Sequence, residues 1–302
     1  MWLREGICGA RVAGHVVARP AHLPAHGARR SCEPPERAPA PLASVGGVSE
    51  TFTIPARFCG PPESGNGGWT SGHLAALVAA DADRPTVSVR LRTPPPLDHP
   101  LEVRHSEEDV VEVLDGGLVV ASAQPAPAVP RTGLPAPVTF AEAQAVGASY
   151  AGLHDHPFPT CFSCGTEREP GDALCLRPGP LPGREGVHAA AWVPTEATPE
   201  IVWAALDCPG AWALGVGGRP MVLGTMTAEV DRLPALGEEH VVMAWARGSE
   251  GRKHWCGTAL YAADGTLLAH ADATWIAIDP AAIRPVAGEP AGPSPTTPRS
   301  DS

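Results

Sequence analysis

At 302 residues the chain can bury one large core or two medium ones, and its net charge of −11 excludes a general nucleic-acid binder, which needs a basic face to meet phosphates. Apolar residues make up 43% of the chain, yet no apolar run approaches the roughly 20 residues of a membrane-spanning helix. We therefore expect a cytoplasmic protein with no membrane or nucleic-acid partner. The 36 Pro and 33 Gly announce long irregular stretches, and Lys253 is the only lysine among many arginines. That bias is what GC-rich codons produce, as in an actinobacterium.

Residues 1–48 carry six Arg against three Glu, with many Pro and Ala. No hydrophobic period runs through them, so a disordered extension is expected. Its apolar stretch, ICGARVAGHVVA, is broken by Arg11 and His15, which argues against a signal peptide. An over-extended gene start is the alternative we favour, with translation beginning near Val48.

Residues 49–124 read as one structural unit. GNGGWTSGHLAALVAA opens with glycines and continues as a small-residue helix that is apolar on nearly every side, the pattern of a wrapped helix. Val87, Val89 and Leu91 alternate with polar neighbours, the mark of a half-buried strand. VEVLDGGLVVASA is a hairpin whose Asp115-Gly116 turn supplies positive φ. Residues 125–185 form a linker with an extended, exposed Pro/Ala opening, followed by a short helix from Thr139 with Glu142 as its capping-box partner.

About 140 residues after the first unit the order returns, over residues 186–280. LDCPGAWALG stands where the first helix stood, followed by MVLGTMTAEV, an LPAL break, VVMAWARG, and a hairpin turning at Asp264-Gly265. In the last strand Leu267, Ala269, Ala271, Ala273 and Trp275 share one face, suited to lie against a helix. His270 and Asp272 fall on the other, where surface placement is expected. Residues 281–302, rich in Pro, Ser and Thr, read as a disordered tail.

A helix wrapped by an antiparallel sheet and written twice resembles the hot-dog fold in its double form. FCGPPESGNGGWTSG, HPFPTCFSCG, VWAALDCPGAWA and ALYAADGTLLAHADATWIAID resemble actinobacterial thioesterase-like double hot-dog proteins, over about residues 50–280. The resemblance implies an α+β fold of two tandem repeats forming an intramolecular pseudo-dimer, as a monomer or further paired as a homodimer. It also implies hydrolysis of acyl-CoA or another acyl thioester. Helix N-terminal amides then hold the thioester carbonyl, and Gly67, Gly68 and Gly210 fit that role. Asp207 is the candidate base or nucleophile, while the first unit offers only Asn66 at the matching place. Both residues also suit plain helix N-caps. Thr225 and Thr227 are candidates to orient water. Arg252 and Lys253, with Arg247, are candidates for the coenzyme A phosphates. The hydratase pattern of Asp followed five positions later by His is absent, since Trp212 and Ser71 stand there. A non-catalytic acyl-ligand-binding or interaction protein is the alternative.

No cofactor is required for this chemistry. A separate cluster, His154, His156, Cys161 and Cys164, is a candidate for structural zinc, although the second, distant ligand pair of most small zinc modules is missing. Cys208 beside Asp207 reads as a small core residue.

Overall fold

Period-two patterning becomes strand throughout the computed structural model, which describes residues 50–106 and 109–279. The N-terminal extension, the proposed start at Val48 and the tail lie outside the described residues. The first part of the chain gives β1 (Thr51–Phe52), α1 (Gly67–Ala75), β2 (Thr86–Leu91), β3 (Leu101–His105), β4 (Val111–Asp115) and β5 (Leu118–Ala126). The linker holds α2 (Phe140–Val146) and β6 (Gly179–Pro180). The last part gives β7 (Val187–Trp192), α3 (Pro199–Ala213), β8 (Met221–Val230), β9 (His240–Glu250), β10 (Lys253–Ala262) and β11 (Leu267–Ala277). Both Asp-Gly turns take the left-handed backbone, with φ of 54° at Gly116 and 81° at Gly265.

All strands join one antiparallel sheet in the order β1-β3-β4-β5-β2-β8-β11-β10-β9-β7-β6. Within it β1-β3-β4-β5-β2 and β7-β9-β10-β11-β8 follow the same path around their helices, and the two paths meet where β2 pairs with β8 through Val87↔Ala228 and Val89↔Met226. Both long helices lie on one face, α1 against α3. Gly68 makes that contact close: a Cβ there would come within 2.6 Å of the Trp203 carbonyl and 2.9 Å of Ala204 Cα. Around the pair, Leu74, Val89, Leu206, Met226 and Ala271 belong to the main core.

Three expectations are corrected. The second helix does not begin at Asp207. It begins at Pro199, where Thr198 Oγ1 accepts the Ile201 amide at 3.4 Å and proline occupies the first turn. The helix then runs through Pro209, and every residue from Ile201 to Trp212 is buried. Such enclosure outweighs the ladder bond that an interior proline deletes. Asp207 is therefore not an N-cap.

The linker does not hang free. It crosses the outer face of the sheet, where Tyr261 donates to the Pro135 carbonyl at 3.1 Å and Arg131 pairs with Asp231 at 2.7 Å. Helix α2 seats Ala143 in a second apolar cluster with Val241, Met243 and Tyr261, and the Thr139–Glu142 capping box is complete. His270 is consequently 1% exposed, covered by the linker and bonded through Nε2 to the Val129 carbonyl at 3.0 Å. Asp272 is half-buried against Arg247 at 2.8 Å. Among the described residues no helix is long and apolar enough to cross a membrane.

Candidate functional site

Asn66 caps α1, its Oδ1 accepting the Trp69 amide at 2.8 Å. Its other side-chain atom, Nδ2, reaches across to Asp207 Oδ2 at 3.1 Å. The Gly68 amide donates to the same oxygen at 3.0 Å. The second helix thus presents a carboxylate to the N-terminal turn of the first, where free amides and the positive dipole end favour negative charge. Asp207 is 1% exposed, and its Oδ1 has no hydrogen-bond partner among the described residues. Burial pushes its carboxyl up to about 7. The neighbouring Cys161 adds to that rise, while the bonds from Gly68, Asn66 and Cys208 oppose it.

Asp207 lines a cavity of about 160 Å³ together with Asn66, Gly67, Cys161, Cys208 and Trp275. Its remaining walls come from the loop before α1, the proline run after β2 and the start of β8. Among the described residues, Arg92 is its one basic lining residue.

The predicted residues divide sharply by place. Asn66, Gly67, Gly68 and Asp207 meet here. Gly67 is the first residue of its helix and borders the cavity, whereas the Gly68 amide is committed to the carboxylate. Gly210 is elsewhere: it lies in the last turn of α3, where a Cβ would meet the Cys256 sulfur at 2.5 Å, far from a helix N-terminus. Thr225 and Thr227 face the other side of the sheet, beside Arg247 and Asp272, and Thr227 donates to Ser88 Oγ at 3.0 Å. Arg252 and Lys253 are exposed at the β9–β10 turn and do not border the cavity. Arg92, which does, carries no sequence signal beyond its place before a proline run.

The cysteine loop docks beside the carboxylate. Cys161 and Cys164 are each 3% exposed, and Cys208 comes to them from α3. Phe162 bonds to the Cys59 carbonyl at 2.7 Å, and Ser163 Oγ bonds to the Ala204 carbonyl of α3 at 2.8 Å. Hydrogen bonds from the Cys164 and Cys208 thiols hold Cys161 well below the usual thiol range; as a donor, Cys208 is pushed up. Of the two predicted histidines, His156 reaches this loop and His154 does not. His156 Nε2 lies 3.4 Å from Cys164 Sγ, while His154 is exposed on the rim of a separate cavity. Cys208 was missed as a partner because the contact arises only when the loop docks on α3; its position beside Asp207 was the sole hint.

No protein-family model and no curated protein matches the sequence. Solved structures do. A thioesterase II candidate from Thermobifida fusca YX matches with a TM-score of 0.52 and 13% identity, over 78% of this chain and 94% of that one. A conserved hot-dog-fold protein of unknown function from Alicyclobacillus acidocaldarius matches with a TM-score of 0.50 and 13% identity, over 78% and 95%. At such identity the likeness concerns architecture alone, and the chain has the hot-dog fold.

Proposed function

We propose that the chain hydrolyses acyl-CoA or a related acyl thioester, as two tandem hot-dog repeats (residues 49–124 and 186–280) joined in one chain as a pseudo-dimer. One observation carries the reading: a buried carboxylate, held through Oδ2 by Gly68 and Asn66, keeps Oδ1 without a partner among the described residues at the wall of a cavity. In this reading Asp207 Oδ1 takes a proton from water, and the resulting hydroxide attacks the thioester carbonyl. The oxyanion faces the first turn of α1, where Gly67 supplies an amide with no intrahelical acceptor. Collapse of the tetrahedral intermediate breaks the carbon–sulfur bond, and the leaving thiolate takes the proton back from Asp207.

Arg92 is the basic residue placed to meet a coenzyme A phosphate, in preference to Arg252 and Lys253. Release of free thiol from a panel of acyl-CoA esters tests the proposal. Turnover of at least one chain length, lost in Asp207→Asn, is the expected result. No turnover with any ester, or full activity in the variant, defeats it and leaves an acyl-ligand-binding protein.

A further inference from the structure

The sulfur atoms of Cys161, Cys164 and Cys208 all lie within 4.8 Å of one another, and Cys161 and Cys208 are 3.6 Å apart. Zinc–sulfur bonds of about 2.3 Å in a tetrahedral arrangement put sulfurs about 3.8 Å apart. The observed spacing is therefore near that of three thiolates around one ion.

Asn66 Nδ2 lies 3.7 Å from the Cys161 sulfur and 3.9 Å from that of Cys208. Gly165 closes the C-x-x-C loop so tightly that a Cβ there would stand 2.5 Å from the carbonyls of both Pro159 and Cys161. Close packing of this kind holds ligand atoms in place, as the groups supporting metal ligands do.

His156 does not complete the ligand set as it stands. Its Nδ1 accepts the Phe158 amide at 2.9 Å, so the ring proton sits on Nε2, which bonds the Cys164 carbonyl at 3.1 Å and approaches the sulfur at 3.4 Å. A nitrogen carrying its proton donates to sulfur and cannot ligate an ion.

We infer that Cys161, Cys164 and Cys208 bind one zinc ion as three thiolates, with His156 positioning Cys164 from outside the ligand set and a solvent molecule taking the fourth place. On binding, the three thiol protons leave to solvent. The ion would clamp the Cys161–Cys164 loop to α3, joining residues 47 apart in sequence. The inference stands independently of hydrolysis, and so does its test.

The full chain is expressed with zinc supplied, purified, and measured for metal content and for zinc-edge X-ray absorption. One zinc per chain, with three sulfur neighbours at about 2.3 Å and one lighter atom, is expected. Cobalt substitution should give thiolate-to-metal absorption bands in the native protein. Cys208→Ala should lose the metal and His154→Ala should keep it unchanged. His156→Ala should weaken binding about 10- to 100-fold. Zinc held without sulfur neighbours, no metal bound at all, or wild-type affinity in Cys208→Ala overturns the inference. Formation of a Cys161–Cys208 disulfide in place of metal binding overturns it as well. Should Cys208→Ala fail to fold, the absorption spectra of the unmodified chain decide.

Discussion

The two central helices meet the same cavity from opposite ends. Helix α1 begins there, with Asn66 as its cap and Gly67 as its first residue, while α3 passes it in its last turns and delivers Asp207. The first supplies amides and a dipole, the second a carboxylate, and neither could build the site alone. Asn66 and Asp207 are not equivalent positions, since Asn66 caps α1 whereas Thr198 caps α3 and Asp207 lies in its later turns. The antiparallel crossing brings the start of one helix to the later turns of the other, so Asn66 and Asp207 are partners in a contact rather than two copies of one position.

The contrast can be broken most severely at the carboxylate. Asp207→Asn keeps the shape and removes the proposed base, so thiol release should fall about 10²- to 10⁴-fold, with the fold retained by circular dichroism. Gly68→Ala attacks the crossing itself. Its added methyl would meet backbone of α3 at 2.6 and 2.9 Å, and such overpacking should cost about 3 kcal/mol in denaturant unfolding. Gly67→Ala, whose methyl would instead meet the Leu223 side chain, should cost about 1 kcal/mol.

Asn66→Ala removes the cap of α1 and one donor to Asp207, and should cost about 1–2 kcal/mol by the same measurement. Arg92→Ala should raise KM for acyl-CoA up to about fivefold, as expected of an exposed charge, and leave a phosphate-free thioester unaffected. Thr225→Val and Thr227→Val lie across the sheet from the carboxylate. They should leave the hydrolysis rate unchanged; a large loss in either would mean that the site has been placed on the wrong face.

Much of the sheet was legible because a strand with one covered face writes that face into alternate residues, as Val87 and Val89 show. The Asp-Gly turns and the Thr139 cap were legible because each depends on residues adjacent in sequence. The start of α3 was misread because LDCPGAWALG was matched to the start of the first helix, and an interior Pro209 argues locally against a helix running through it. His270 was misplaced because alternation names a face without saying what covers it, and here the linker does. Asn66 and Asp207 could be singled out, but their contact depends on how the two helices cross. The meeting of Cys208 with Cys161 likewise depends on docking, which no local pattern records.

The sheet ends at both sides on strands of two residues, β1 and β6. An edge that short offers few free backbone groups to an incoming chain. Between them, β2 and β8 pair through Val87–Arg90 and Thr225–Ala228 at the middle of the sheet, so that stretch is no edge for an incoming strand.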